Sequence, residues 1–297
     1  MRCDNPGKIC DGLWYLGHRE SGVYLLEGSN RSLIVSGGTS YIVPLVMSQL
    51  QTFSLREERI SAILILHAHF DHIGIIPFFR RRKPDMIVYG SKRAWQILSV
   101  PQNIRTINEF SHRIAERMGC GNLGEELEWP EGLQGTVIHE GDVIDLGDLT
   151  VEIMETPGHS SCSITAYAPQ IRALFPSDGG GIPYKGAIAA APNSNFDQYR
   201  ASLERMDKKV LDYICADHFG YVYGSEARTY IRNSIKALDE KFALMASIYR
   251  RSRDVAIAAK EAASSFLAQN PDYFLTQEIY EGVCRQMMKH IARTLES

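Results

Sequence analysis

Residues 63–79 read ILILHAHFDHIGIIPFF. An apolar run of strand length gives way here to four titratable side chains within six positions: His67, His69, Asp71 and His72. A continuous apolar run of this length fits a strand buried on both faces. In extended chain, positions i, i+2 and i+4 face one way. The spacing therefore predicts that His67, His69 and Asp71 project together from the end of a strand over residues 63–66. The carboxyl end of a strand is where open α/β sheets place ligands. Imidazole and carboxylate together suit zinc, iron or manganese. A lone HxH would read as a polar loop that happens to be rich in histidine; HxHxDH is more restrictive.

Three distant segments repeat the arrangement. TPGHSSCSI (156–164) puts His159 after a strand in a proline–glycine turn, FPSDGGG (175–181) puts Asp178 after another, and CADHFGY (215–221) puts His218 after a third. Each candidate follows an apolar run and sits beside glycine or another small residue, where backbone turns tightly. One such coincidence is cheap; four in sequence order are not.

The set HAHFDH, TPGHS, SDGG and ADHFG resembles the metal-binding pattern of the metallo-β-lactamase fold hydrolases, over roughly the first three quarters of the chain. Within that superfamily it is most similar to the thioesterase-like quinolone signal response branch, in ligand spacing, length, helical insert and long helical C-terminus. The resemblance implies an α/β fold: a four-layer αβ/βα sandwich, with the site at one edge between two sheets. It implies that His67, His69 and His159 hold one metal, that Asp71, His72 and His218 hold a second, and that Asp178 bridges them. One position departs from the pattern. The family's first motif usually carries a supporting aspartate, as in LIDTG; this chain reads LIVSGG, with Ser36 there.

Seven ligands are too many for one small transition metal, since a four-coordinate zinc closes with four protein groups. Two divalent ions (zinc, iron or manganese) sharing Asp178 resolve the count, with a hydroxide between them as nucleophile. The expected chemistry is attack on a thioester or carboxylic ester carbonyl, with Asp71 and Asp178 as the catalytic carboxylates. A thiolate leaves with little protonation, because thiols ionise near pH ~8.5. A phosphodiesterase or lactonase would use the same ligands. A regulatory partner-binding protein with a structural metal site is the reading from a different class.

The rest of the chain is consistent with this. It has 297 residues, 44% hydrophobic and 23% charged, enough for a substantial core. The net charge of -3 argues against a nucleic-acid partner. No apolar stretch is long enough to span a bilayer, and the start shows no charged-then-apolar leader, so a cytoplasmic protein acting on a small molecule is expected. The six cysteines contain no CxxC pair and read as reduced. Strands and helices alternate to about residue 220. Residues 1–224 read as the hydrolase domain, with a helical insert at about 101–132, and 225–297 as a helical extension packed on it. In that extension Ala227, Ile231, Ile235, Leu238, Phe242 and Met245 form one helical stripe; Ile279, Val283, Met287, Ile291 and Leu295 form another. Insert and extension are expected to fold over the site as a lid with an apolar lining.

Tyr184 and Tyr221 adjoin ligand loops and are candidate substrate contacts. The run Arg80-Arg81-Arg82-Lys83 is either a coenzyme A phosphate contact or, as charge runs usually are, a solvated helix end. The cluster Arg250, Arg251 and Arg253 reads as surface, or as part of a homodimer contact.

Overall fold

The computed structural model describes residues 1–121 and 124–296; residues 122 and 123 of the insert lie outside the described residues. In chain order the elements are β1 (Arg2–Cys3), β2 (Gly7–Cys10), β3 (Leu13–His18), β4 (Ser21–Glu27), β5 (Ser32–Val35), α1 (Val43–Thr52), β6 (Ile60–Leu64), α2 (Ile76–Arg82) and β7 (Ile87–Ser91). Then come α3 (Lys92–Leu98), α4 (Pro101–Arg117), β8 (Thr136–Ile138), β9 (Val143–Asp145), β10 (Thr150–Glu155), β11 (Ile164–Ala168) and β12 (Ala173–Phe175). The chain ends with β13 (Ile182–Tyr184), β14 (Ala187–Ala189), α5 (Phe196–Met206), β15 (Tyr213–Cys215), β16 (Tyr221–Tyr223), α6 (Ala227–Ser252), α7 (Val255–Gln269) and α8 (Gln277–Glu296).

Two seven-stranded sheets result, ordered β2-β3-β4-β5-β6-β7-β8 and β1-β16-β15-β12-β11-β10-β9, with β13–β14 a separate hairpin. In the first, β5 through β8 run parallel; in the second, β12 and β15 do. The strand parity of the 62–66 segment explains why its sequence shows no polar face. Ala62, Leu64 and Leu66 enter the core between the sheets, whereas Ile63 and Ile65 enter the core beneath the helices. From the opposite sheet Val151, Ile153, Ala166 and Phe175 fill the same inter-sheet core, and the Phe175 ring meets Tyr24 edge-on at 5.5 Å. Burying each of the Val, Leu, Ile and Phe side chains among these stabilises by about 1.5–3 kcal/mol. Outside the first sheet lie α1 to α4; outside the second lie α5 and α6, whose Tyr199, Leu203, Met206, Tyr230 and Ile231 are buried. This is the four-layer sandwich that the family resemblance implies.

The C-terminal region is three helices, α6 to α8. Arg253 adopts a left-handed conformation that ends α6, and the Asp254 carboxylate accepts from the N–H of Ala256 and Ile257 to start α7. In the two stripes, Leu238, Met245, Met287 and Ile291 are fully buried, while Ile235, Phe242, Val283 and Leu295 are partly so. Helix α8 packs against α6 and α7. No helix among the described residues is long and apolar enough to cross a membrane.

Candidate metal centre

All seven candidate ligands sit past carboxyl ends of strands: His67 to His72 after β6, His159 after β10, Asp178 after β12 and His218 after β15. The first loop does not continue as extended chain. Strand β6 ends at Leu64, and Phe70–His72 forms a 3-10 turn. The i, i+2, i+4 expectation is corrected accordingly. His67 and His69 project together with His159, but the turn swings Asp71 away, into a group with His72 and His218. His67, His72 and Asp178 form a third group between them.

Close backbone crossings fix this geometry. Gly37 N–H donates to the His72 carbonyl (2.8 Å), Gly74 N–H to the Gly38 carbonyl (2.7 Å) and Ile75 N–H to the Gly37 carbonyl (2.9 Å). A Cβ on Gly74 would stand 2.1 Å from the Ser40 nitrogen, so the sequence needs glycine where the two segments cross. The His159 turn is held likewise: a Cβ on Gly158 would lie 2.2 Å from the Tyr199 nitrogen, and Tyr199 Oη donates to the Asp178 carbonyl at 2.8 Å.

The donor atoms converge. His69 Nδ1 lies 3.1 Å from His67 Nε2 and 3.0 Å from His159 Nε2. His72 Nε2 lies 3.2 Å from His218 Nε2 and 3.6 Å from Asp71 Oδ1. Asp178 spans the groups: Oδ2 is 3.4 Å from His72 Nε2 and 3.5 Å from His159 Nε2, and Oδ1 is 3.6 Å from His218 Nε2. Three rings are oriented from behind. His159 Nδ1–H donates to the Ala191 carbonyl (2.8 Å), His218 Nδ1–H to the Glu20 carbonyl (2.6 Å) and His72 Nδ1–H to Asp217 Oδ2 (2.7 Å). These partners assign the tautomers and leave Nε2 of each neutral ring as a lone pair aimed into the cluster.

This arrangement fits divalent cations. Protonated, His72 would donate from Nε2 to His218; with both rings neutral, as ligands must be, two lone pairs meet at 3.2 Å and a cation against them would relieve the repulsion. Asp178 Oδ1 is buried and has no hydrogen-bond partner. Burial and the neighbouring rings hold His67 well below the usual histidine range, and burial with His159 lowers His69 to about 3. Burial also lowers His159. All three are therefore neutral at pH 7, as ligands must be. Burial would lower His72 too, but Asp71, Asp178 and Asp217 raise it well above the usual range in the chain by itself. Asp178 is the converse: burial would raise it, and His72, His218 and His159 hold it far below the carboxylate range.

The sequence did not single out Asp217, although it stands in the quoted CADHFGY. Its Oδ2 accepts from His72 Nδ1, from Ser177 Oγ and from Ser36 Oγ (2.8 Å). Ser36, where the family pattern has aspartate, is thus wired to a carboxylate arriving from the opposite sheet. The carboxylate behind His72 in this chain is Asp217.

The cluster forms one end of a cavity of about 580 Å3. Its walls come from α4 (Ile107, Phe110), α7 (Phe266), the segment before α8 (Phe274) and α8 (Ile279, Met287). Tyr184 and Tyr221 are not among its lining residues. Tyr184 packs behind it on Phe219, Phe266 and Tyr273, and Tyr221 lies in β16 against Tyr15 and Tyr223. The basic run does not face it either. Lys83 Nζ caps the carbonyls of Glu57, Glu58 and Ile60, Arg80 and Arg81 bond backbone carbonyls, and Arg82 pairs with Glu57. These are loop clamps rather than a phosphate contact. His290 is buried beside α5, stacked on Phe196.

Residues 17–218 match the family model of the metallo-beta-lactamase superfamily, and the chain belongs to that superfamily. Among curated proteins it is 26% identical to acyl-coenzyme A thioesterase MBLAC2 of Homo sapiens, over 73% of this chain and 81% of that one. Among solved structures, a metallo-beta-lactamase family protein of Thermus thermophilus superposes with a TM-score of 0.67 at 15% identity, covering 97% of this chain and 95% of that one. An archaeal superfamily member from Sulfolobus tokodaii gives 0.60 at 19% identity, covering 76% and 86%.

Proposed function

We propose that the protein is a dinuclear metal-dependent hydrolase of thioesters or related carboxylic esters. The observation that carries the reading is Asp178, a buried carboxylate that reaches both histidine groups from the floor of a largely apolar cavity. His67, His69 and His159 would hold one ion, Asp71, His72 and His218 the other, and Asp178 both. Two divalent ions held there would supply an activated water and a Lewis acid for the acyl oxygen. The chain's own part is to fix the donors, exclude bulk water and seat the acyl group. Ile107, Phe110, Phe266 and Met287 provide an apolar surface for it.

Among the described residues no cysteine lines the cavity. Burial raises the Cys162 thiol, and its Sγ accepts from Ala68 N–H. In the net reaction the water oxygen bonds to the acyl carbon, the carbon–sulfur bond breaks, and the water's second proton ends on the thiolate or in solvent. The thioesterase names of the curated relatives point the same way. So does the cavity lining, which contains no arginine and a single lysine; phosphodiester sites recruit more cations.

The test is turnover by the purified protein loaded in turn with zinc, iron(II) and manganese. The panel comprises acyl-coenzyme A esters, aryl thioesters, aryl esters, a lactone and an aryl phosphodiester. Thioesters are expected to give the highest kcat/KM. A preference for the phosphodiester, or no turnover with any metal, overturns the reading.

A further inference from the structure

The cavity contains one charged side chain that the reading above does not use. Lys241 stands on α6 and lines the same cavity as the donor cluster and the α8 residues Val283 and Met287. Every other charged lining residue is engaged: Asp71 and Asp178 lie against the histidines, and Glu278 pairs with Arg113 at 2.5 Å. Lys241 makes no hydrogen bond or ion pair among the described residues. The titratable group that acts on it is Cys284, whose thiol is pushed by burial up to about 12 and is no counterion at neutral pH. Burial also lowers Lys241 below the usual lysine value. Lys241 nonetheless keeps part of its surface accessible. A half-buried ammonium without a partner, set in a mostly apolar cavity wall, offers a pairing site to an anionic ligand group.

We propose, building on the thioester reading, that Lys241 is a specificity-determining residue that pairs with a carboxylate on the acyl part of the substrate. Preferred substrates are then monothioesters of dicarboxylic acids. Coenzyme phosphates are the other source of anionic oxygen, but they carry several charges and one lysine without arginine is a poor match for them. The methylene or aryl segment between the thioester and the carboxylate would lie along Phe266, Ile279 and Met287.

The experiment compares S-phenyl monothioadipate with its neutral ω-amide analogue, using the intact metal-loaded protein, Lys241→Met and Lys241→Arg. Wild type is expected to favour the acid over the amide at least tenfold in kcat/KM. That ratio should fall to near one in Lys241→Met and persist in Lys241→Arg. Circular dichroism melts check that the variants fold, and Lys241→Gln replaces Lys241→Met if the latter does not. Calorimetric binding of monomethyl adipate, expected to weaken at least tenfold in Lys241→Met, reads the pocket independently of hydrolysis. Loss of turnover with Lys241-dependent binding of monomethyl adipate intact would sink the hydrolase reading, and with it the thioester substrates, while upholding the pairing of Lys241 with a carboxylate. Turnover with an acid-to-amide ratio unchanged by Lys241→Met overturns that pairing. So does a charge preference seen only when hexanoyl-coenzyme A is compared with S-phenyl thiohexanoate, which would assign Lys241 to the leaving group.

Discussion

Replacing Asp217 by asparagine separates support of the centre from mere packing. Asp217 is 1% exposed, and its Oδ2 takes three hydrogen bonds, from His72, Ser36 and Ser177. Asparagine keeps an acceptor oxygen and nearly the same volume but removes the charge. A hydrogen bond to a charged group contributes about 1.5–3 kcal/mol, against about 1 for a neutral one. The His72 bond alone therefore loses on the order of 1–2 kcal/mol, and the basicity of Nε2 falls with it. Outer partners of this kind are worth about 10–100-fold in metal affinity, or roughly 1.4–2.7 kcal/mol. By linkage, the stabilisation that saturating metal gives the fold should shrink by the same amount, lowering the metal-loaded Tm by a few degrees. Competition titration against a chromogenic chelator gives the affinity; melts with and without metal give the linkage. The reasoning fails if metal affinity stays within twofold of wild type while the metal-free Tm drops. Asp217 would then be holding two sheets together and nothing more.

Four further outcomes follow from the same geometry. Ser36→Asp places a second buried carboxylate against Asp217, and is expected to cost about 2–4 kcal/mol in urea unfolding; Ser36→Asp combined with Asp217→Asn should recover most of it. Asp178→Asn should cut kcat/KM at least about 10²–10³-fold while far-UV circular dichroism stays native, and metal analysis should show fewer ions per chain. Gly74→Ala forces a Cβ to within 2.1 Å of the Ser40 nitrogen and should destabilise by about 2–4 kcal/mol through the neighbouring backbone bonds, lowering both Tm and metal content. Cys162→Ala should leave kcat within about threefold, since its buried thiol performs no chemistry; a loss beyond about 10²-fold would bring back a thiol nucleophile.

Much of the site was legible because its parts announce themselves locally. HxHxDH follows an apolar run, and His159, Asp178 and His218 each follow another beside small residues. The two-sided burial of residues 62–66 was readable too, since only a strand between two apolar layers tolerates an unbroken run. The helical stripes of α6 and α8 were visible for the same reason, though not the break between α6 and α7, which rests on a left-handed Arg253 and the Asp254 cap.

What periodicity could not supply was grouping. It states where a side chain points relative to its own backbone, and a single 3-10 turn over Phe70–His72 was enough to send Asp71 to different partners. The second wall of the site obeys no local rule at all. Asp217 reaches Ser36 across 181 positions, His218 is steered by the carbonyl of Glu20, and the basic run at 80–83 is consumed by nearby carbonyls instead of facing a ligand. The sequence by itself supplied the candidate donors, because each follows an apolar run within a few residues, and the layered fold entered through the family resemblance that those motifs carry. Which donors lie together, which carboxylate stands behind His72 and which lysine lines the cavity were decided when two sheets closed on each other, because those energies exist only between segments the chain keeps far apart.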